Sequence, residues 1–142
     1  MNVILTKEEL ERYKRQIIIP SIGKDGQEKL KKSKVFVAGF GGLGSISAQY
    51  LVAAGVGSIK VIDKDVVDIS NLNRQIIHWT CDLGKKKAES GLYKLKNLNP
   101  HCNIEAISVE LDETNVYGII GDSHIIVDAT DNLETRRVLN RV

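Results

Sequence analysis

The sequence predicts an α/β fold, a doubly wound and mostly parallel sheet preceded by N-terminal helices, and three observations carry that prediction. Short apolar runs rich in β-branched residues alternate with longer amphipathic stretches, the rhythm of repeated strand–helix–strand units. A glycine-rich loop, GFGGLG at residues 39–44, lies where the first such run ends and the next helix begins. The chain has 142 residues, 42% hydrophobic and 27% charged, which suits one domain with a buried core.

Each element has its own local cause. Thr6 and Glu9 form a capping box that opens a helix over residues 6–16. A second, short helix over 25–33 takes Asp25 as its cap. KVFVAG (34–39) is a run of strand formers closed by glycine and reads as a buried strand. Residues 43–55 are rich in small side chains and stop at Gly55, so they read as a helix. SIKVID (58–63) is the second strand, and a helix over 84–99 ends at Pro100. NIEAISVE (103–110) is the third strand, 113–121 a short helix and HIIVDA (124–129) the fourth strand. The sequence stops inside a further helix, so the expectation is a fragment of something longer. No repeat or low-complexity linker interrupts this order. The chain therefore reads as one domain over 1–142, a helical arm at 1–33 and a Rossmann-like core at 34–142.

Right-handed crossovers give the strand order 3-2-1-4. Ligands of such sheets bind beyond the carboxyl ends of the strands, where the order reverses, here between strands 1 and 4. The loops at 39–44 and 128–132 should face each other across that crevice.

Composition excludes other classes. Lys and Arg number 20 against 18 Asp and Glu, a net charge of +2, too mild for a nucleic-acid surface. The lysines at 29–34 and 85–86 read as solvated helix faces and ends. No apolar window approaches the ~20 residues of a membrane span, and the N-terminal apolar run is too short for a signal peptide. A cytoplasmic protein without membrane or nucleic-acid partners is expected. Cys81 and Cys102 form no CxxC, and His78, His101 and His124 form no ligand pair, so no zinc site is expected here.

The glycine loop suits phosphate. Gly39 permits a tight turn, Gly41 and Gly42 let a phosphate reach backbone N–H groups, and Gly44 lets helix pack on strand. The following helix N-terminus adds donors and partial positive charge. Asp63 ends the second strand roughly twenty positions beyond Gly39, the usual place of a ribose ligand. A hydride-transferring nicotinamide enzyme would explain these features, but has little use for Arg74, Lys87 and the acidic DATDN after strand 4. A reaction that breaks a triphosphate needs cations for the departing charge and a carboxylate for Mg²⁺.

RYKRQI (12–17), GFGGLGS (39–45), VIDKDVVDISNLNRQ (61–75), GKKKAES (84–90) and DATDN (128–132) together resemble the MoeB/ThiF/HesA adenylyltransferases, bacterial relatives of ubiquitin-activating enzymes. The resemblance covers essentially the whole chain. It implies ATP-dependent adenylation of the C-terminal glycine carboxylate of a small ubiquitin-like sulfur-carrier protein, with release of pyrophosphate, in a homodimer. It places Gly42 on the phosphates, Asp63 on the ribose and Ser70, Asn71, Leu72 and Asn73 beside the nucleotide. Arg74 and Lys87 meet the triphosphate, Asp131 holds Mg²⁺ with Asn132 alongside, and Arg15 reaches the partner subunit's site. Asp65 assists at the ribose or shapes its turn. Local readings compete: Asp131 as cap of the last helix, Lys87 as part of a solvated lysine face, Arg15 as an exposed helix charge. Members of the family extend further, with a groove for the carrier tail and often zinc-binding CxxC pairs, so Zn²⁺ belongs only to a C-terminal part. A non-catalytic nucleotide-binding or partner-subunit module of the same fold is the alternative, and an NAD-dependent oxidoreductase a weaker one.

Overall fold

A computed structural model describes residues 4–142, so the first three positions of the expected arm lie outside the described residues. Four parallel strands form the sheet: β1 (Lys34–Ala38), β2 (Ser58–Ile62), β3 (Asn103–Ile107) and β4 (Ile125–Asp128), in the order β3-β2-β1-β4. The helices are α1 (Lys7–Arg12), α2 (Lys14–Ile17), α3 (Gly23–Lys32), α4 (Gly42–Ala54), α5 (Lys87–Leu98), α6 (Val116–Ile120) and α7 (Leu133–Leu139).

The continuous apolar run of β1 follows from burial on both faces. Val35 and Val37 join one cluster with Ala48 and Val52 of α4 and Leu95 of α5. Phe36 and Ala38 point the other way, into a cluster with Val116 and Ile120 of α6 and Val138 and Leu139 of α7. Helices on both sides thus cover the central strand, and its carboxyl end opens at the point where the strand order reverses.

The N-terminal helical segment is docked on the core. The helix expected over 6–16 breaks at Tyr13 (φ −98°, ψ 9°), whose ring is buried and whose hydroxyl accepts from Asn99 Nδ2 at 2.8 Å. Gly55 has φ +90°, and a Cβ there would lie 2.6 Å from the Tyr13 ring, so glycine both ends α4 and admits the tyrosine. Gln16 and Gln27 donate to the Ala54 carbonyl at 2.7 and 2.9 Å, and Asn99 donates to that of Val52 at 2.8 Å. Side chains from distant elements therefore satisfy the Ala54 carbonyl at the end of α4 and add a second bond to that of Val52, which also accepts from Gly55 N.

Other boundaries also move, among them the start of the helix expected over 113–121, which is Val116. Helix α3 starts at Gly23, which leaves Asp25 in its first turn rather than at its cap. The third strand ends at Ile107, opposite Ile62, because its neighbour β2 turns away there. The helix expected from residue 84 starts at Lys87, because Val67 N donates to Lys85 O at 2.8 Å and Gly84 N to Val67 O at 2.9 Å. Those bonds tie the segment ahead of α5 to the loop after β2.

Candidate functional site

Beyond the carboxyl ends of β1, β2 and β4 lies a cavity of about 560 Å³. Four segments far apart in sequence converge on it. The glycine loop contributes Gly39, Gly41 and Gly42, and the end of β2 contributes Asp63 and Asp65. Arg74 and Lys87 arrive from the next loop and the start of α5, and Asp131 and Asn132 from the loop after β4.

The four loop glycines divide into two kinds. At Gly39 φ is +89° and a Cβ would stand 2.7 Å from the Ala129 carbonyl oxygen; at Gly44 it would stand 1.9 Å from that of Gly39. The chain itself requires both to be bare. Gly41 and Gly42 have no positive φ, and a Cβ would meet nothing nearer than Gln75 Nε2 at 3.5 Å or Arg74 Cγ at 3.7 Å, ordinary contact distances. The fold leaves room for side chains at these two positions. Their absence keeps the cavity open against the backbone.

Phe40, between those pairs, is fully buried in a socket on α5: a Cβ at Gly91 would lie 1.8 Å from its ring. The Phe40 N–H donates to Asp63 Oδ2 at 2.8 Å, while Asp65 N donates to Asp63 Oδ1 at 2.8 Å. Asp63 thus bridges the glycine loop to the turn after β2 and keeps spare lone pairs. Lys87 is only 5% exposed, unlike Lys85 and Lys86, and its ammonium lies 3.1 Å from Asp65 Oδ2 at the N-terminus of α5. A solvated lysine face does not describe it.

Ser70, Asn71, Leu72 and Asn73 do not line the cavity; Ser70, Asn71 and Asn73 build the seat of Arg74. Ser70 donates to Asp68 Oδ1 from its N–H at 2.8 Å and its hydroxyl at 2.6 Å, which holds the Asp68 carboxyl below its usual range. Asn71 Oδ1 accepts from Asp68 N at 3.0 Å. Arg74 Nη1 then donates to Ser70 O and Asn73 Oδ1, each at 3.0 Å. Arg15 is exposed on α2 and does not line this chain's cavity.

On the facing loop, the cap of α7 is Asn132, whose Oδ1 accepts from Thr135 N at 2.8 Å, and not Asp131. Asp131 makes no side-chain hydrogen bond among the described residues and lines the cavity. Burial opposes ionisation of Asp128, but Thr130 and Arg136 outweigh it and hold that carboxyl low, Arg136 Nε donating at 2.9 Å. No group of three or more His, Cys, Asp or Glu side chains forms a metal cage among the described residues. Mg²⁺ carried by phosphates needs only one or two carboxylates and keeps several waters, so the unengaged Asp131 is a fitting donor.

Sequence reasoning missed Gln75, which is buried at the cavity with Oε1 unpartnered, and Phe40 with its socket. An isolated glycine within the helical pattern at 91 was the available signal of close approach.

The sequence model of the ThiF family matches residues 13–142. A molybdopterin-synthase adenylyltransferase of Haemophilus influenzae is 49% identical over 137 residues, 96% of this chain and 56% of that protein. A SAMP-activating enzyme E1 of Haloferax volcanii is 44% identical over 142 residues, 100% of this chain and 53% of that one. Among solved structures, the tRNA N6-threonylcarbamoyladenosine dehydratase TcdA of E. coli in complex with ATP superposes with a TM-score of 0.90 at 26% identity, over 96% of this chain and 56% of its own. The chain spans about half the length of the curated relatives it matches. No helix among the described residues is long and apolar enough to cross a membrane.

Proposed function

The chain belongs to the ThiF family, and on that premise we propose that it is the ATP-binding part of an adenylyltransferase that activates the C-terminal glycine carboxylate of a ubiquitin-like sulfur carrier. A carboxylate oxygen bonds to the α-phosphorus as the α–β phosphoanhydride breaks, giving an acyl-adenylate and pyrophosphate. The observation that carries the reading is the pair Gly41 and Gly42, bare where the fold does not require it, beside a buried lysine and an unengaged carboxylate. The names of the relatives support the reaction, and the ATP complex of a structural neighbour supports the nucleotide.

In this reading Gly42 admits the phosphates to the N-terminus of α4, and Asp63 takes the ribose hydroxyls on its spare lone pairs. Asp65 serves by holding Lys87, whose ammonium meets the triphosphate. Arg74, released from Ser70 O and Asn73, adds the second cation. Asp131 would hold the Mg²⁺ that screens phosphate charge, with Asn132 fixing the turn beside it. The protein works in the cytoplasm as a homodimer. Leu43, Ile46 and Tyr50 support the dimer: 74%, 39% and 75% exposed, they form one apolar stripe on α4 that starts at the cavity rim.

Calorimetric titration tests the nucleotide. ATP with Mg²⁺ is expected to bind and NAD not to; NAD binding with ATP ignored would sink the proposal. In the whole protein, ATP–pyrophosphate exchange dependent on a ubiquitin-like carrier tests the reaction and separates it from a non-catalytic module.

Arg15 is proposed to act on the partner's cavity. Mixing an Arg15→Ala protein with a Lys87→Ala protein should then restore part of the lost exchange activity, since the mixed dimer holds one site with both cations. Absence of recovery, with subunit exchange demonstrated, would remove Arg15 from the partner's site.

A further inference from the structure

We propose that His78 is a positioning residue that fixes the phosphate-facing loop by donating from Nε2 to the Phe40 carbonyl, a role that rests on the nucleotide reading of the cavity. Phe40 lies between Gly39 and Gly41, outside both β1 and α4. Neither of its polar groups pairs with backbone; the N–H goes to Asp63 Oδ2 at 2.8 Å and the carbonyl to His78 Nε2 at 3.3 Å. Both partners are side chains from other elements, so the two peptide planes that flank Phe40 are set from outside the loop, and the second of them carries the Gly41 N–H.

The direction of the hydrogen-bond chain behind it follows from chemistry alone. Lys94 carries only donors, and a backbone carbonyl only accepts. Lys94 Nζ lies 3.0 Å from Ser90 Oγ, Ser90 Oγ 3.0 Å from His78 Nδ1, and His78 Nε2 reaches the Phe40 oxygen. Lys94 donates to Ser90, the Ser90 hydroxyl proton goes to Nδ1, and the ring is therefore the Nε2–H tautomer. Lys94 is anchored in turn by an ion pair with Asp82 and lies over the Trp79 ring, 4.4 Å from its centroid.

Burial raises the pKa of Asp82, but Lys94, Trp79 N and Lys85 outweigh it and hold the carboxyl far below the usual range. Burial lowers the pKa of His78 and outweighs the bond to the Phe40 carbonyl, which raises it; Lys94 and Lys87 add to the lowering and Asp82 opposes it, so the neutral ring that the chain requires is favoured. The Phe40 ring meets the imidazole edge-on, with centroids 5.8 Å apart and planes at 76°. Helix α5 thus supplies Lys87 to the cavity and, to the support behind it, Ser90 and Gly91 one turn on and Lys94 a further turn on.

The consequence concerns sign. A carbonyl tied into the interior is kept from turning its negative end towards phosphate, and the neighbouring N–H groups are left as the loop's face. Ring ¹⁵N chemical shifts of His78 at about pH 7 are expected to show Nε2 protonated and Nδ1 bare. His78→Leu should weaken ATP binding roughly tenfold, and His78→Gln, whose amide nitrogen falls near the position of Nε2, by no more than about threefold.

Amide shifts of Gly41 and Gly42 should move in the leucine variant and stay near wild type in the glutamine one. If the leucine variant fails to fold, Ser90→Ala removes only the hydroxyl that fixes the ring, and about threefold weaker binding is expected. An Nδ1–H ring, or equal ATP affinity in wild type, His78→Leu and Ser90→Ala, overturns the proposal. Failure of the wild-type chain to bind ATP would defeat the nucleotide reading instead. The tautomer and the glycine amide shifts would still decide whether His78 holds the loop.

Discussion

Gly42→Val is expected to abolish ATP binding in a chain that melts near the wild-type temperature, whereas Gly44→Ala, a smaller change two positions away, is expected to cost the fold itself. At Gly42 the backbone is helical and the nearest atom to a new Cβ is 3.7 Å away on a flexible arginine, so the protein tolerates the branch. The valine methyls then occupy the space through which phosphate would approach the N–H groups. At Gly44 a Cβ would sit 1.9 Å from a backbone oxygen of Gly39, which is itself pinned against Ala129. Neither side can move as a side chain would. The cost should exceed the ~1–3 kcal/mol typical of core overpacking, a large share of the ~5–15 kcal/mol that stabilises a domain. Thermal melting and calorimetric titration of the two variants read the contrast. Tight ATP binding by Gly42→Val would place the nucleotide elsewhere.

Asp131→Asn is expected to leave the melting temperature within a few degrees of wild type and to lower pyrophosphate exchange in the whole protein by orders of magnitude. The structural side rests on Asn132, which caps α7 and so relieves Asp131 of that duty. Removing the negative charge near the start of α7 costs at most ~0.3–1 kcal/mol. The functional side rests on charge: an amide is a poor Mg²⁺ ligand, and the metal screens the phosphates during displacement. Full activity in the variant would make Asp131 a bystander, and exchange is the readout because stability should not respond.

What could be read from the sequence was whatever depends on neighbours along the chain. The order of the sheet followed from alternating apolar runs, and the crevice from the glycine loop and DATDN lying after strands 1 and 4. Contacts between distant residues escaped. The break at Tyr13 exists because its ring sits over Gly55 and bonds Asn99, neither of which is near it in sequence. Asp131 and Asn132 are equally good caps by residue type, and only backbone geometry chose between them. His78 looked like any isolated histidine, since the groups that orient it come from α5 and the glycine loop. Lys87 stood within a run of three lysines, and burial decided against the competing reading of a solvated lysine face.

The two outer strands of the sheet are not alike. On β3, Glu105 is exposed and pairs with Lys60 at 3.4 Å, a charged margin that discourages further strands. The other margin, β4, carries Ile125 at 52% and Ile126 at 36% exposure, and its outer hydrogen-bonding groups meet no strand among the described residues. Such a margin is a template. When these 142 residues are handled as an isolated polypeptide, two copies are expected to extend one another's sheet through β4, a dimer that sedimentation would detect and that differs from one formed through α4. Ile125→Lys blunts that margin while leaving α4 untouched. Association that survives it comes from another surface, and association that vanishes with it was a first step toward aggregation.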